Sequence, residues 1–122
     1  MSTGESEEHK KMVRSLMTYL NGKGFRTICV ALEGYTQCEP MDGRVADFIG
    51  KNDQNAWCIG EAKTSDDLVN DRERTDAQFR AFASRQATFY ISVPKASLEQ
   101  LNQILRELGL FGKPNIVTLV YS

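Results

Sequence analysis

The 122-residue chain has three cysteines, Cys29, Cys38 and Cys58, with no pair in a CxxC spacing, and a single histidine, His9. An odd cysteine count argues against a disulfide framework, so a reducing compartment is expected. These residues cannot complete a four-cysteine zinc or iron–sulfur site. One histidine excludes HExxH metalloproteases, C2H2 fingers and multi-histidine nuclease sites unless another subunit contributes. Neither a GxxxxGKS/T loop nor a GxGxxG stretch occurs, so nothing suggests a nucleotide-binding loop. No apolar run approaches the roughly 18 to 20 residues of a membrane span. Met1 to Lys11 is polar and acidic, without the apolar centre of a signal peptide, and a cytoplasmic protein with no membrane association is expected. An excess of one charge sign is missing too. The 15 Lys and Arg residues against 16 Asp and Glu give a net charge of −1, so any nucleic-acid surface has to be local.

What is present is the balance of an ordinary globular domain, with 41% hydrophobic and 25% charged residues, and a length suited to a single domain over residues 1–122. Met12, Leu16, Tyr19 and Leu20 recur at helical spacing, widened by Val13, and Gly22 and Gly24 supply the stop of a helix that begins near Glu5. Strands are expected at Phe25 to Leu32, at Arg44 to Ile49 between two glycines, and at about Ala56 to Lys63. A polar stretch from Thr64 to Asn70 leads to a helix over about Asp71 to Ser84 with Phe79, Phe82 and Ala83 inward. A buried strand follows over Thr88 to Val93. Ser97 is a suitable N-cap for a helix carrying Leu98, Leu101, Leu105 and Leu108 that Gly109 ends, and Ile116 to Tyr121 is the last strand. The order α-β-β-β-α-β-α-β implies a mixed sheet with helices on its faces.

The strand Trp57-Cys58-Ile59-Gly60-Glu61-Ala62-Lys63 carries the chemistry. Period-two alternation puts Trp57, Ile59, Glu61 and Lys63 on one face, where two apolar residues give way to a carboxylate and an ammonium. That face leaves the core and enters a cleft. The preceding strand places Val45, Asp47 and Ile49 on one face, again with an acid among apolar residues. Paired strands lie about 4.8 Å apart, so Asp47 and Glu61 are positioned to share one ion. With the backbone carbonyl of Ala62 and water they form an all-oxygen environment suited to Mg²⁺ or Mn²⁺. Lys63 beside that ion is placed to orient a water or to offset charge developing on phosphorus. The bland alternative is a structural Asp47–Lys63 pair without metal.

With Asp47 in Val45-Ala46-Asp47-Phe48-Ile49 and Glu61-Ala62-Lys63 fourteen residues later, the sequence resembles the PD-(D/E)XK nuclease superfamily. The resemblance implies a restriction-endonuclease-like α-β-β-β-α-β core with a mixed central sheet flanked by helices, extended by a C-terminal αβ unit. It also implies a helix-borne glutamate before the first strand, a role given to Glu8 with Glu5 and Glu7 as alternatives, and a glutamine after the lysine strand, given to Gln78. Ala46 stands where the motif name has proline. The implied activity is Mg²⁺-dependent (or Mn²⁺-dependent) hydrolysis of DNA phosphodiester bonds, as in repair, recombination, junction-resolving or mobile-element endonucleases. The alternative is a catalytically inactive module of the same fold that binds nucleic acid or mediates assembly.

Arg74, Gln78, Ala81 and Arg85 fall on one stripe of the second helix, a candidate phosphate-contacting face of Arg74, Gln78 and Arg85 that competes with an ordinary solvated surface. His9 is expected at the surface, Trp57 in the core or an interface, and Cys58 buried on the face opposite Glu61. The loop from Gly34 to Asp42 is long for a hairpin and lies near the expected site. Small size and the apolar final strand favour a homodimer as the active species.

Overall fold

Ser6 opens the first helix, its side chain accepting from the His9 amide at 3.0 Å, while Glu7 and Glu8 complement the positive end of the helix dipole. The computed structural model describes residues 6–121, so the alternative helix acid Glu5 lies outside the described residues. In chain order the elements are α1 (Glu7–Gly22), β1 (Arg26–Val30), β2 (Phe48–Lys51), β3 (Trp57–Ala62), α2 (Ser65–Asn70), α3 (Arg72–Ala83), β4 (Thr88–Pro94), α4 (Leu98–Glu107) and β5 (Ile116–Tyr121). The strands form one sheet in the order β1-β2-β3-β4-β5. β1, β2 and β3 pair antiparallel as a meander, and β3, β4 and β5 pair parallel through helical crossovers. The fold is therefore mixed α/β, a five-stranded mixed sheet flanked by helices with a C-terminal αβ unit, the architecture expected for a restriction-endonuclease-like core.

Alternation along the central strands builds two cores, one on each face. On one face Met12, Val13, Leu16 and Leu20 of α1 pack against Phe48, Cys58, Ala62 and Tyr90. On the other, Phe79 and Phe82 of α3 and Leu101, Ile104 and Leu105 of α4 cover Ile59, Phe89, Ile91 and Val93. Phe79 and Phe82 each meet the Phe89 ring edge-on, at 5.8 and 5.6 Å between centroids. Helix α1 lies so close over β3 that a Cβ on Gly60 would stand 2.9 Å from Leu16 Cδ2, which is why this central strand position carries no side chain.

Several expectations are corrected. The second strand begins at Phe48 rather than Arg44, because residues 41–44 fold into their own Met41–Arg44 bridge, and Asp47 sits one residue ahead of the strand. The polar stretch after Thr64 is a helix of its own, since Thr64 and Asp67 form a reciprocal capping box with bonds of 3.1 and 2.9 Å. Ser97 makes no side-chain cap bond, since Lys95–Ser97 forms a 3-10 turn that feeds α4. Tyr19 lies on the exposed edge of the α1 stripe, and Trp57, at the outer end of β3, is 42% exposed with the Lys51 ammonium 4.9 Å from its ring centroid. The largest difference concerns sulfur. Cys29 and Cys38 are joined by a disulfide, with their Cα atoms 5.0 Å apart, because the segment after β1 turns back and the Val30 amide bonds the Thr36 carbonyl at 2.9 Å. Cys58 is free and buried, as expected, and its desolvated thiol is pushed up to about 12.

Candidate active site

The site forms where the β2–β3 ladder ends. Phe48 faces Gly60 in the last bridged pair, so one step further Asp47 faces Glu61. There the side chains take over from the backbone. Glu61 Oε1 accepts from the Asp47 amide at 3.1 Å, and Asp47 Oδ2 accepts from the Ala62 amide at 2.8 Å. The Asp47 carbonyl meanwhile accepts from the Ala31 amide at 2.8 Å. Asp47 is thus held on both sides, by Glu61 of β3 and by the residue that follows β1, and the expected convergence of the two carboxyls is realised even though Asp47 precedes its strand.

Lys63, one residue past β3, turns its ammonium into the same space. Its Nζ lies 3.4 Å from Glu61 Oε2 and donates to Gln78 Oε1 of α3. Asp47, Glu61, Lys63 and Gln78 are 7, 2, 4 and 3% exposed, so Lys63 is a buried partner rather than the cleft-edge residue the sequence suggested. Burial first, and then the charge of Asp47, pushes the Glu61 carboxyl up to about 8, against smaller opposing effects of Lys63, the Asp47 amide and His9. A cavity of about 380 Å³ opens onto all four residues and is lined further by His9, Thr64 and Arg74.

The surrounding residues divide. Glu8 reaches the cavity rim but is exposed, whereas its neighbour His9 is the α1 residue that turns inward, its Nε2 3.2 Å from Asp47 Oδ2. Helical arithmetic carries the signal that was missed. His9 stands three residues before Met12 and four before Val13, on the buried stripe, while Glu8 shares only the four-residue spacing to Met12. Of the phosphate-contacting stripe, Gln78 is buried in the site and Arg74 lines the cavity, exposed and 3.6 Å from Asp71. Arg85, close to the far end of α3, is not part of the cavity lining and pairs instead with Asp42 at 3.6 Å. At about 1.5 Å of rise per residue, a stripe running from Arg74 to Arg85 extends over about 16 Å of helix axis, so its far end passes out of reach of a compact site.

The donor set suits a hard cation. All its ligand atoms are oxygens, and both contacts of the Asp47 carboxylate fall on Oδ2, which leaves acceptor capacity on Oδ1. Among the described residues no group of three or more His, Cys, Asp and Glu side chains is arranged to hold a metal ion. A cation held by two carboxylates and a carbonyl would take most of its coordination shell from water, as Mg²⁺ tolerates and as a structural zinc site does not.

No family model matches the chain, and no curated protein matches it. Among solved structures, the whole chain (100%) is similar to 49% of a repair endonuclease from Pyrococcus abyssi, with 11% sequence identity and a TM-score of 0.48. The chain thus spans about half the length of that solved chain.

Proposed function

We propose that this chain is a metal-dependent nuclease that hydrolyses phosphodiester bonds in DNA, with Asp47, Glu61, Lys63 and Gln78 as its central residues. The observation that carries the reading is the crossed pair of hydrogen bonds between Asp47 and the Glu61–Ala62 segment, with the Lys63 ammonium held against Glu61 at the floor of an open cavity. Two adjacent carboxyls buried at the end of a ladder are costly to a fold unless a cation offsets them. In this reading Asp47, Glu61 and the Ala62 carbonyl hold Mg²⁺ or Mn²⁺. The ion supplies Lewis-acid neutralisation of the charge that develops on the phosphate.

The chain's own residues do the rest. The Lys63 ammonium, fixed by Gln78, orients a water for in-line attack and adds positive charge beside the phosphorus. His9 holds the Asp47 carboxylate at the same Oδ2 that accepts from the Ala62 amide. Glu8 and Arg74 stand at the rim, the second of them placed to meet a phosphate of the bound strand.

The second reading is a non-catalytic module of the same fold. It is favoured by the mutual satisfaction of the polar groups, since no buried side-chain nitrogen or oxygen among the described residues lacks a partner. Incubating the purified protein with labelled linear, nicked, branched and single-stranded DNA, in Mg²⁺, Mn²⁺ or EDTA, separates the two. Cleavage that needs the cation and disappears in Lys63→Met supports the nuclease. DNA binding without cleavage in either metal supports the module.

A further inference from the structure

We propose that the Cys29–Cys38 disulfide is a positioning element of the site, a covalent clamp on the segment that carries Asp47, and that reducing it lowers turnover while leaving the fold intact. Its catalytic part rests on the nuclease reading; its structural part does not.

Residues 31–47 join β1 to β2, and the only regular pairing within this connection is the Met41–Arg44 bridge. Yet the segment touches the site directly. The Ala31 amide holds the Asp47 carbonyl, and Ala31 and Gln37 line the site cavity. The same two residues also line a second cavity of about 440 Å³ that runs beside Lys10 and Arg14 of α1, so one wall is shared by both openings. Gln37 is fixed by bonds from its Nε2 to the carbonyls of Val30, Leu32 and Tyr35, at 3.4, 3.2 and 3.2 Å. Gln37 itself is exposed, so water competes for those bonds. The next residue, Cys38, is buried and bonded to Cys29 within β1. That link divides the long connection into two short ones and removes most of the conformations in which Ala31 and Gln37 leave the wall. Since Glu61 binds the Asp47 amide and Ala31 its carbonyl, loosening Ala31 frees one of the two supports of the Asp47 backbone, from which the carboxylate is aimed.

A dithiol such as dithiothreitol supplies the reduction. The sulfur–sulfur bond breaks, two hydrogens pass to the Cys29 and Cys38 sulfurs, and the dithiol closes to its own cyclic disulfide. The test compares the oxidised protein, the same protein in dithiothreitol, and a Cys29→Ala/Cys38→Ala variant, with Cys58→Ala as a clamp-intact control. Amide hydrogen exchange is read at Ala31, Asp47 and β4, alongside kcat and DNA Kd in Mg²⁺.

Reduction is expected to raise exchange at Ala31 at least tenfold, to leave β4 exchange and far-UV circular dichroism unchanged, and to lower kcat about tenfold with an unchanged Kd. The double variant is expected to match the reduced protein and to ignore dithiothreitol, while Cys58→Ala responds as the parent does. Unchanged exchange at Ala31, a loosened Ala31 with unchanged kcat, or loss of β4 protection on reduction overturns the proposal; the last makes the disulfide a global stabiliser only. Faster Ala31 exchange with no cleavage in any redox state supports the clamp and overturns the nuclease reading instead.

Discussion

Replacing Glu61 by glutamine tests the electrostatics of the site at its most buried point. In the metal-free fold the Glu61 carboxyl keeps its proton up to about pH 8, against an ordinary value of 4.5. Between those pH values the unfolded chain has released a proton that the folded chain still binds, so stability falls as pH rises through the window. At about 1.4 kcal/mol per pKa unit the ceiling on this loss is about 5 kcal/mol. Solvent relaxation around the cavity reduces it, and a difference of about 1 to 3 kcal/mol between pH 5 and pH 8 is expected. Glutamine keeps the shape and the acceptor for the Asp47 amide but cannot ionise. Its amide hydrogens face the Lys63 ammonium, which costs about 1 kcal/mol at every pH. Urea unfolding followed by circular dichroism in EDTA should therefore show Glu61→Gln slightly less stable than the parent at pH 5 and more stable at pH 8. Mg²⁺ should stabilise the parent and not the variant. A stability difference between the two proteins that stays constant from pH 5 to pH 8 refutes the argument, because it means that Glu61 is ionised in the fold throughout.

Lys63→Met should lower cleavage by about 10² to 10³-fold while the protein still folds, because below about pH 8 Glu61 already holds its proton and removing the ammonium strands no carboxylate charge there; single-turnover rates in Mg²⁺ measure the first and thermal melts the second. Phe89→Ala, which empties a position between the Phe79 and Phe82 rings, should cost about 3 to 5 kcal/mol in urea unfolding. Arg74→Ala should weaken DNA binding and lower the slope of log K against log salt by about one, while Arg85→Ala, whose side chain lies outside the cavity lining, should leave that slope unchanged. Light scattering should report a homodimer, since β5 is an uncharged edge strand with Val120 exposed; a monomer at high micromolar concentration with and without DNA rules that assembly out.

Periodicity and punctuation in the chain were enough to determine most of the elements and the mixed character of the sheet, though not α2 or the start of β2. The apolar spacing of Met12, Leu16 and Leu20 and the alternation through Ile59 and Glu61 depend on nearest-neighbour geometry, and α1 and β3 appear where that geometry puts them, whereas Gly50, read as the end of the second strand, lies inside β2. Asp47, Glu61 and Lys63 were legible as a group for the same reason: an acid inside an apolar strand and an acid–lysine pair at a strand end conflict with burial unless they meet one another. Three features were decided only in three dimensions. That His9, which its spacing to Met12 and Val13 already puts on the buried stripe of α1, reaches the Asp47 carboxylate depends on how α1 is seated over the sheet against Gly60 and Phe48. Whether Arg74 and Arg85 serve one surface depends on where α3 passes the cavity, and only its first turns do so. The Cys29–Cys38 bond depends on the fold-back of the connection between β1 and β2. Cysteine counting is blind to it, because a count says nothing about which two sulfurs a turn brings within bonding distance.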